Sequence, residues 1–422
     1  MTSDARALRA LYVWVWLPGS TEPVPAGILE QPADTGVITF AYGQRYVARD
    51  DARALYEPEL PLRRGRQEPP AGMGVAGVIR DAGPDAWGQR VVMRRLTGRQ
   101  DVRDQDPGDL PLLTYLLESG SDRPGALDFQ ASAETYVPRT HDATLEQLQQ
   151  AATDLEAGAP IDKGLQAALE AGSSVGGARP KATLLDGDRH LIAKFSSLTD
   201  NYPVMKAEAV AMELARRAGL RVAGTELVRV GGRDVLLVER FDRGPDGTRH
   251  AFVSALTIAQ EAEMNARYVT YTRLADQLRA RAAARADTLR ELFSRIVFNV
   301  LIGNTDDHAR NHAAFCDSSG GLELTPAYDI CPQNRAGQEA TQAMAFGPDG
   351  QKLSQVAACL DAARFYELTE GQARDVIDGQ LDLIRGQWND AADLATLTAT
   401  ERDQMWGRQI LNPFATYGYD AA

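Results

Sequence analysis

Cysteine is scarce in this chain, and the three present, Cys316, Cys331 and Cys359, are odd in number and never set at Cys-x2-Cys spacing. That disfavours a disulfide framework and a zinc ribbon and points to a reducing compartment. Long apolar runs are missing too. No stretch approaches the roughly 20 apolar residues that a membrane span needs. The first residues carry Asp4, Arg6 and Arg9 before only a short apolar run, 11–17, and lack the long apolar region of a secretory signal. The expectation is a soluble cytoplasmic protein with no membrane partner. Positive charge is not in excess: 45 Lys and Arg face 58 Asp and Glu, a formal net charge of -13. Such a surface repels phosphate backbones, which argues against direct nucleic-acid binding by the chain alone. Internal repeats, a Walker A loop, a GxGxxG loop and an HExxH zinc motif are also lacking.

What is present is ordinary globular material. Of 422 residues, 44% are hydrophobic and 24% charged, enough apolar content for two or three cores. Residues 11–47 alternate apolar and polar between turn signals, which predicts a small, mostly β unit. Residues 86–96 and 111–117 read as helices, 120–124 as a loop, and 145–155 as a polar helix or linker. Then 182–185 and 189–195 predict two strands around Asp186-Gly187-Asp188, a hairpin turn. A helix is predicted over 203–219, with Asn201 able to cap it, Pro203 in its first turn and Gly219 closing it. A second hairpin, 225–230 and 235–239, turns at Gly231-Gly232. After a break at 243–247 the pattern becomes helical. Leu289, Leu292, Phe293, Ile296, Val297, Val300 and Leu301 recur on one helical face that Gly303 ends. Residues 354–366 and 370–388 also read as helices. A β-rich lobe followed by an α-rich lobe predicts a cleft where ligands bind.

Four stretches carry chemistry. Asn304-Thr305-Asp306-Asp307-His308-Ala309-Arg310-Asn311 contains Asp-x4-Asn, the spacing at which a kinase places a proton-accepting Asp and a magnesium-binding Asn. Asp329 stands alone after a short strand and Pro326, where a second metal carboxylate is expected. Lys194 lies on a strand whose Leu191, Ala193 and Phe195 face the other way; its role would be to hold ATP phosphates, paired with Glu208 on the next helix. The run 173–181, with Ser173, Ser174, Gly176, Gly177, Arg179 and Lys181, suits a loop whose N–H groups approach phosphates. Singly, these also fit a capping Asp, a turn Asp, an edge-strand Lys and a linker. Their order, however, is that of a protein kinase.

The runs SSVGGARPKATLL, LLVERFDR, LIGNTDDHARNH and LTPAYDI, with GSDRPGAL at 120–127, resemble the HipA family of bacterial toxin kinases over nearly the whole chain. The resemblance implies an α+β, bilobal protein-kinase-like fold after a small, mostly β N-terminal subdomain. The expected divisions are 1–135, 136–242 and 243–422. It implies a serine/threonine kinase using ATP and Mg²⁺, with Asp306 and Lys194 catalytic and Asn311 and Asp329 on the metal. Ser174, Val175, Gly176, Gly177, Lys194 and His308 would contact the nucleotide, and Glu239 and Phe241 would lie in the hinge that receives adenine. Ser174 matches the family's autophosphorylated loop serine, with Ser173 leaving the position open by one. Family members phosphorylate aminoacyl-tRNA synthetases and are restrained by a helix-turn-helix antitoxin of HipB type. Two other readings compete: a metal-dependent hydrolase built on Asp306, His308 and His312, at ligand-like His-x3-His spacing, and a kinase-like module that binds without catalysing. Under the kinase reading, His308 would alternatively be structural or orient Asp306.

Overall fold

The computed structural model describes residues 8–32, 36–98, 108, 110–140, 143–159, 161, 169, 179–335 and 337–420. The chain divides into two compact units. The first comprises Met1–Thr199, Val228–Val253 and Asp317–Gly320; the second comprises Asp200–Leu227, Ser254–Cys316 and Gly321–Ala422.

In the first unit, the alternation seen over 11–47 becomes an antiparallel sheet. β1 (Ala10–Trp16) pairs with β2 (Pro23–Glu30) on one side and β5 (Leu127–Gln130) on the other; β3 (Thr39–Tyr42) and β4 (Arg66–Gln67) extend it beyond β2. A register shift at Val13/Trp14 breaks the period-two pattern, and burial runs unbroken from Val13 to Trp16. Close strand packing fixes Gly27, where a Cβ would sit 2.2 Å from the Ala41 carbonyl oxygen.

A second sheet runs β6 (Lys181–Asp186), β7 (Arg189–Phe195), β9 (Arg233–Glu239), with β8 (Thr225–Val230), which enters this unit at Val228, last in the order. Gly187, Gly231 and Gly232 take the positive φ that the predicted turns require. One face is covered by two helices. Ala86–Thr97 is capped by Asp85, which accepts from the Gly88 N–H at 2.7 Å; Leu145–Glu156 starts with a Thr144/Gln147 capping box. Trp87 and Val91 from one helix and Leu148 and Leu155 from the other pack with Leu191, Ala193, Phe195, Val235 and Leu237. Each fully buried large apolar side chain contributes about 1.5–3 kcal/mol by leaving water. The 145–155 segment is therefore an amphipathic helix with a core role rather than a linker.

The second unit is mostly helical, with a short hairpin of Ala313–Cys316 and Leu322–Leu324. Its axis is Arg285–Ile302, whose Leu289, Leu292, Phe293, Ile296, Val297, Phe298, Val300 and Leu301 are all buried. Arg295, on the same buried stretch, is held by Glu291 at 2.8 Å and by the Thr325 carbonyl at 2.9 Å. Glu370–Leu394 is longer than the predicted 370–388, and the 354–366 segment is a short α-helix, Val356–Ala362, followed by a 3-10 helix, Ala363–Tyr366. The helix predicted over 203–219 spans Val204–Arg217 with Pro203 at its N-cap and no side-chain cap. Asn201 does not cap it; its Oδ1 lies 3.5 Å from the Asn334 amide nitrogen instead.

Candidate functional site

Gly303 ends the long helix at φ +74, and a Cβ there would meet the Gln409 carbonyl oxygen at 2.3 Å. The backbone can thus turn sharply into the Asp306 loop while the C-terminal segment packs against the turn, with the Leu411 N–H donating to the Leu301 carbonyl at 2.8 Å. The next residue, Asn304, donates from Nδ2 to Asn299 Oδ1 at 3.1 Å and lies 3.5 Å from the Asp329 carbonyl.

The two consecutive aspartates then diverge. Asp307 is buried: the Tyr271 hydroxyl donates to its Oδ2 at 2.7 Å, and His312 Nε2 lies 2.9 Å from its Oδ1. Burial, reinforced by the Asp307 charge, pushes the Tyr271 hydroxyl well above the ordinary tyrosine value. Asp306, by contrast, is exposed. Asn311 is buried, and its Nδ2 turns back to the Asp306 carbonyl at 3.3 Å. That orientation leaves the amide oxygen as the end able to ligate a cation.

Asp329 is half-buried and holds φ +59, a left-handed conformation that costs a non-glycine residue about 1–2 kcal/mol. Its segment is fixed on both sides. Ala327 donates to the Arg221 carbonyl at 2.7 Å and accepts from the Ala223 N–H at 2.9 Å, while the Tyr328 hydroxyl donates to the Arg310 carbonyl at 2.7 Å. Through Tyr328–Arg310 and Asn304–Asp329, the segments bearing Asp306, Asn311 and Asp329 are brought side by side. Carboxylate and amide oxygens are the hard donors that suit magnesium. The histidines fit a zinc site less well. His312 is engaged by Asp307, and His308 Nδ1 accepts from the Arg310 N–H at 3.3 Å, which orders the loop's own backbone. Among the described residues, no group of three or more His, Cys, Asp and Glu is placed to hold a metal.

The remaining expected positions are carried by other elements. Lys194 is half-buried on β7, opposite Lys181 of β6, while Leu191, Ala193 and Phe195 turn to the core as the alternation predicts. Lys181 is itself buried, 3.4 Å from Asp85 Oδ2, and the Trp87 indole donates to its carbonyl at 3.1 Å. Glu208 is buried on Val204–Arg217 in the second unit. Glu239 is exposed at the end of β9, 3.6 Å from Arg189, and the Phe241 ring meets Phe252 edge-on at 5.3 Å. Ser174, Val175, Gly176 and Gly177, with Ser173, lie outside the described residues.

Sequence reasoning missed a buried ionic network in the first unit. Arg240 binds Asp242 through Nε at 2.9 Å and Nη2 at 2.8 Å, and Asp122 at 2.7 Å. Arg243 binds both carboxylates at 2.9 Å, and the Gly125 N–H donates to Asp242 at 2.7 Å. Arg249 donates to the Ser121 carbonyl at 3.0 Å and stacks over the Trp16 ring. Next door, the fully buried Arg123 pairs with Asp128 at 2.7 Å. GSDRPGAL and LLVERFDR are therefore two halves of one structure. The available signal was their joint occurrence; the pairing itself, across some 118 residues of chain, was not visible.

Residues 173–388 match the HipA-like C-terminal domain and residues 15–130 the HipA N-terminal domain. The protein Y4mE of Sinorhizobium fredii, which carries a provisional kinase name, is 33% identical over 147 residues, 33% of each chain. The serine/threonine-protein kinase toxin HipA of Shewanella oneidensis is 29% identical over 188 residues, 37% of this chain and 42% of that one. These alignments span well under two thirds of the relatives' length. A solved structure of Shewanella oneidensis HipA with HipB and operator DNA superposes with a TM-score of 0.68 at 19% identity, covering 94% of this chain and 96% of that one. The fold is thus the α+β, kinase-like fold of that protein. Since the C-terminal match alone takes in just over half of the residues and a second match covers most of the N-terminal sheet, this chain belongs to the HipA family.

Proposed function

We propose that this chain is an ATP-dependent protein serine/threonine kinase of HipA type. One observation carries the reading: of two adjacent aspartates on the loop after the long helix, Asp307 is locked inside by Tyr271 and His312 while Asp306 is presented to solvent, with Asn311 and Asp329 on tied neighbouring segments. Asp306 accepts the proton of a substrate Ser or Thr hydroxyl. That oxygen forms a bond to the γ-phosphorus, the bond to the bridging oxygen of ADP breaks, and ADP leaves. Asn311 and Asp329 would hold Mg²⁺, which would neutralise charge on the phosphates. Lys194 contacts the phosphates, and Glu239 and Phe241 receive adenine through the backbone. The protein's contribution is mainly positioning and charge stabilisation.

The family match and the kinase name of the Shewanella relative support the activity. The solved relative contains HipB, which supports a HipB-type antitoxin as partner here. The finer parts of the proposal are silencing by phosphorylation at Ser174, an aminoacyl-tRNA synthetase as target, and action in the cytoplasm. Among the described residues no helix is long and apolar enough to cross a membrane, which accords with that location. Transfer from γ-labelled ATP, measured for the wild type and Asp306→Ala, tests the core claim. Magnesium-dependent transfer that the substitution removes is the expected result. Equal transfer by both proteins would overturn the role of Asp306, and none by either would favour a non-catalytic module.

A further inference from the structure

Arg240 stands between Glu239 and Phe241, the two residues proposed to receive adenine, and is itself buried, only 6% exposed. Its backbone N–H donates to the His190 carbonyl at 3.0 Å, one step past Leu191 and Glu239, the paired residues at this end of β7 and β9. The chain leaves the sheet here. Neither flanking side chain is deeply buried: Glu239 is exposed, and Phe241 is half-buried beside Phe252.

A guanidinium carries five N–H donors in a rigid fork, and the Arg240 fork makes five contacts. Nε reaches Asp242 Oδ1 at 2.9 Å. Nη1 reaches Asp122 Oδ1 at 2.7 Å and the Asp122 carbonyl at 3.3 Å. Nη2 reaches Asp242 Oδ2 at 2.8 Å and the Arg123 carbonyl at 2.7 Å. Asp242 is held in turn by the Gly125 N–H at 2.7 Å, and its own carbonyl accepts from the His250 N–H at 3.0 Å. Residues 240–242 are therefore fixed from two sides, by the loop 122–125 and by the returning chain at 250. A turn at the end of a strand needs none of this. Burying several charges costs desolvation that their attraction only partly offsets, and apolar packing of similar volume is often as stable. What a fully satisfied polar cluster adds is one defined backbone course. That course matters where backbone groups do the recognising, because a binding constellation works only within about 0.5 Å of its proper geometry.

We infer that Arg240 and Asp122 are positioning residues for adenine, an assignment that rests on the kinase reading above: they hold the backbone of 239–241 in the course that can hydrogen-bond the base. Asp122 falls in the matched N-terminal domain and Arg240 in the matched C-terminal one, so each domain supplies half of the clamp. The test is the initial rate of phosphate transfer across ATP and GTP concentrations, in the full chain, for the wild type, Arg240→Lys, Asp122→Asn and Asp128→Asn. Arg240→Lys keeps the charge and removes the fork. Asp122→Asn, at a half-buried position, keeps the shape and is the milder change. Asp128→Asn is the control, since Asp128 is buried nearby but pairs with Arg123 and Arg139. In both clamp variants KM for ATP rises about tenfold, the worth of one spoiled hydrogen bond. Their kcat holds, their preference for ATP over GTP narrows, and Asp128→Asn keeps the wild-type KM. A merely structural role would instead shrink the folded fraction, lowering kcat and leaving KM alone. Unchanged KM in both clamp variants, or an equal rise in Asp128→Asn, would overturn the assignment. ADP affinity by calorimetry reads the same displacement without chemistry. A wild type that binds ADP yet transfers no phosphate would therefore sink the kinase reading while the clamp is still tested, and one that binds no nucleotide would overturn both.

Discussion

Two parts of the molecule concentrate aspartate and cation, and folding treats them in opposite ways. In the first unit, Asp122 and Asp242 are surrounded by Arg240 and Arg243, and every charge is answered at 2.7–2.9 Å. In the second, the loop after Gly303 carries Asp306 and Asp307, of which only Asp307 is enclosed. A paired, buried carboxylate can hold structure together but has no freedom to take a proton from a substrate. An exposed carboxylate on a loop anchored by its neighbour can. Both regions lie in family-like motifs, so motif membership does not separate chemistry from architecture; the burial of each carboxylate does.

The largest expected effect is a crossed one. Asp306→Ala lowers phosphate transfer by about 10²–10⁴-fold, the usual contribution of a general base, and leaves stability within about 0.5 kcal/mol because the side chain is exposed. Asp242→Ala does the reverse to stability. It strands Arg240 and Arg243 beside a lost counter-charge and destabilises the fold by about 3–5 kcal/mol. Urea unfolding and labelled-ATP transfer on both variants measure the crossing. An Asp306→Ala protein that unfolds early, or an Asp242→Ala protein as stable as the wild type, would erase the distinction between the two regions.

The Asp306 region was the more legible of the two, because its signals are local. Asp-x4-Asn, the helix before it and Gly303 as helix end are all short-range patterns, as are the Asp-Gly and Gly-Gly hairpin turns whose glycines take positive φ. What the sequence could not show were contacts between distant segments. The Asp122–Arg240 bond crosses 118 residues, and Asp307 gains its meaning from Tyr271, 36 residues away. Asn201 failed as a helix cap for the same reason: its local geometry suited the role, but its side chain faces Asn334. The 145–155 segment read as polar because its apolar stripe, Leu148, Ala151, Ala152 and Leu155, makes sense only once β7 and β9 lie beneath it.

Gly303 sharpens the comparison at an intermediate level, since it is conformationally required and sterically required at once. Gly303→Ala forces a Cβ into the left-handed region, at about 1–2 kcal/mol, and into the Gln409 carbonyl. The C-terminal segment must then shift, for a total loss of about 2–4 kcal/mol. Because that segment backs the turn into the Asp306 loop, phosphate transfer falls along with stability, unlike the separation expected of Asp306→Ala. Chemical denaturation and initial transfer rates on the same preparation decide it. Unchanged stability would mean that the backbone at Gln409 yields freely.

The smallest effect is set by pH and belongs to the first unit. Burial alone would raise the Asp242 carboxyl, but Arg240 and Arg243 overrule it and hold it down at about 2. A carboxyl depressed in the folded state stabilises above its unfolded value, roughly 4, and that stabilisation is lost as pH falls through about 2. Asp85 has the opposite sign. Burial, the largest influence, outweighs Lys181 and pushes its carboxyl up to about 6, so its contribution is complete below about 4 and is lost as pH rises through about 6. Taken together, the two groups make stability fall on both sides of a range near pH 4. Asp85→Asn, which cannot ionise, removes the Asp85 share of the alkaline limb and leaves the share of buried Glu59, whose carboxyl is pushed up to about 7. Urea midpoints of the wild type and Asp85→Asn from pH 2.5 to 7 test this. If both proteins lose stability equally between pH 4 and 6, the buried Asp85–Lys181 contact behaves as an ordinary ion pair, and the alkaline limb belongs to Glu59 of the same unit, whose carboxyl burial pushes up to about 7.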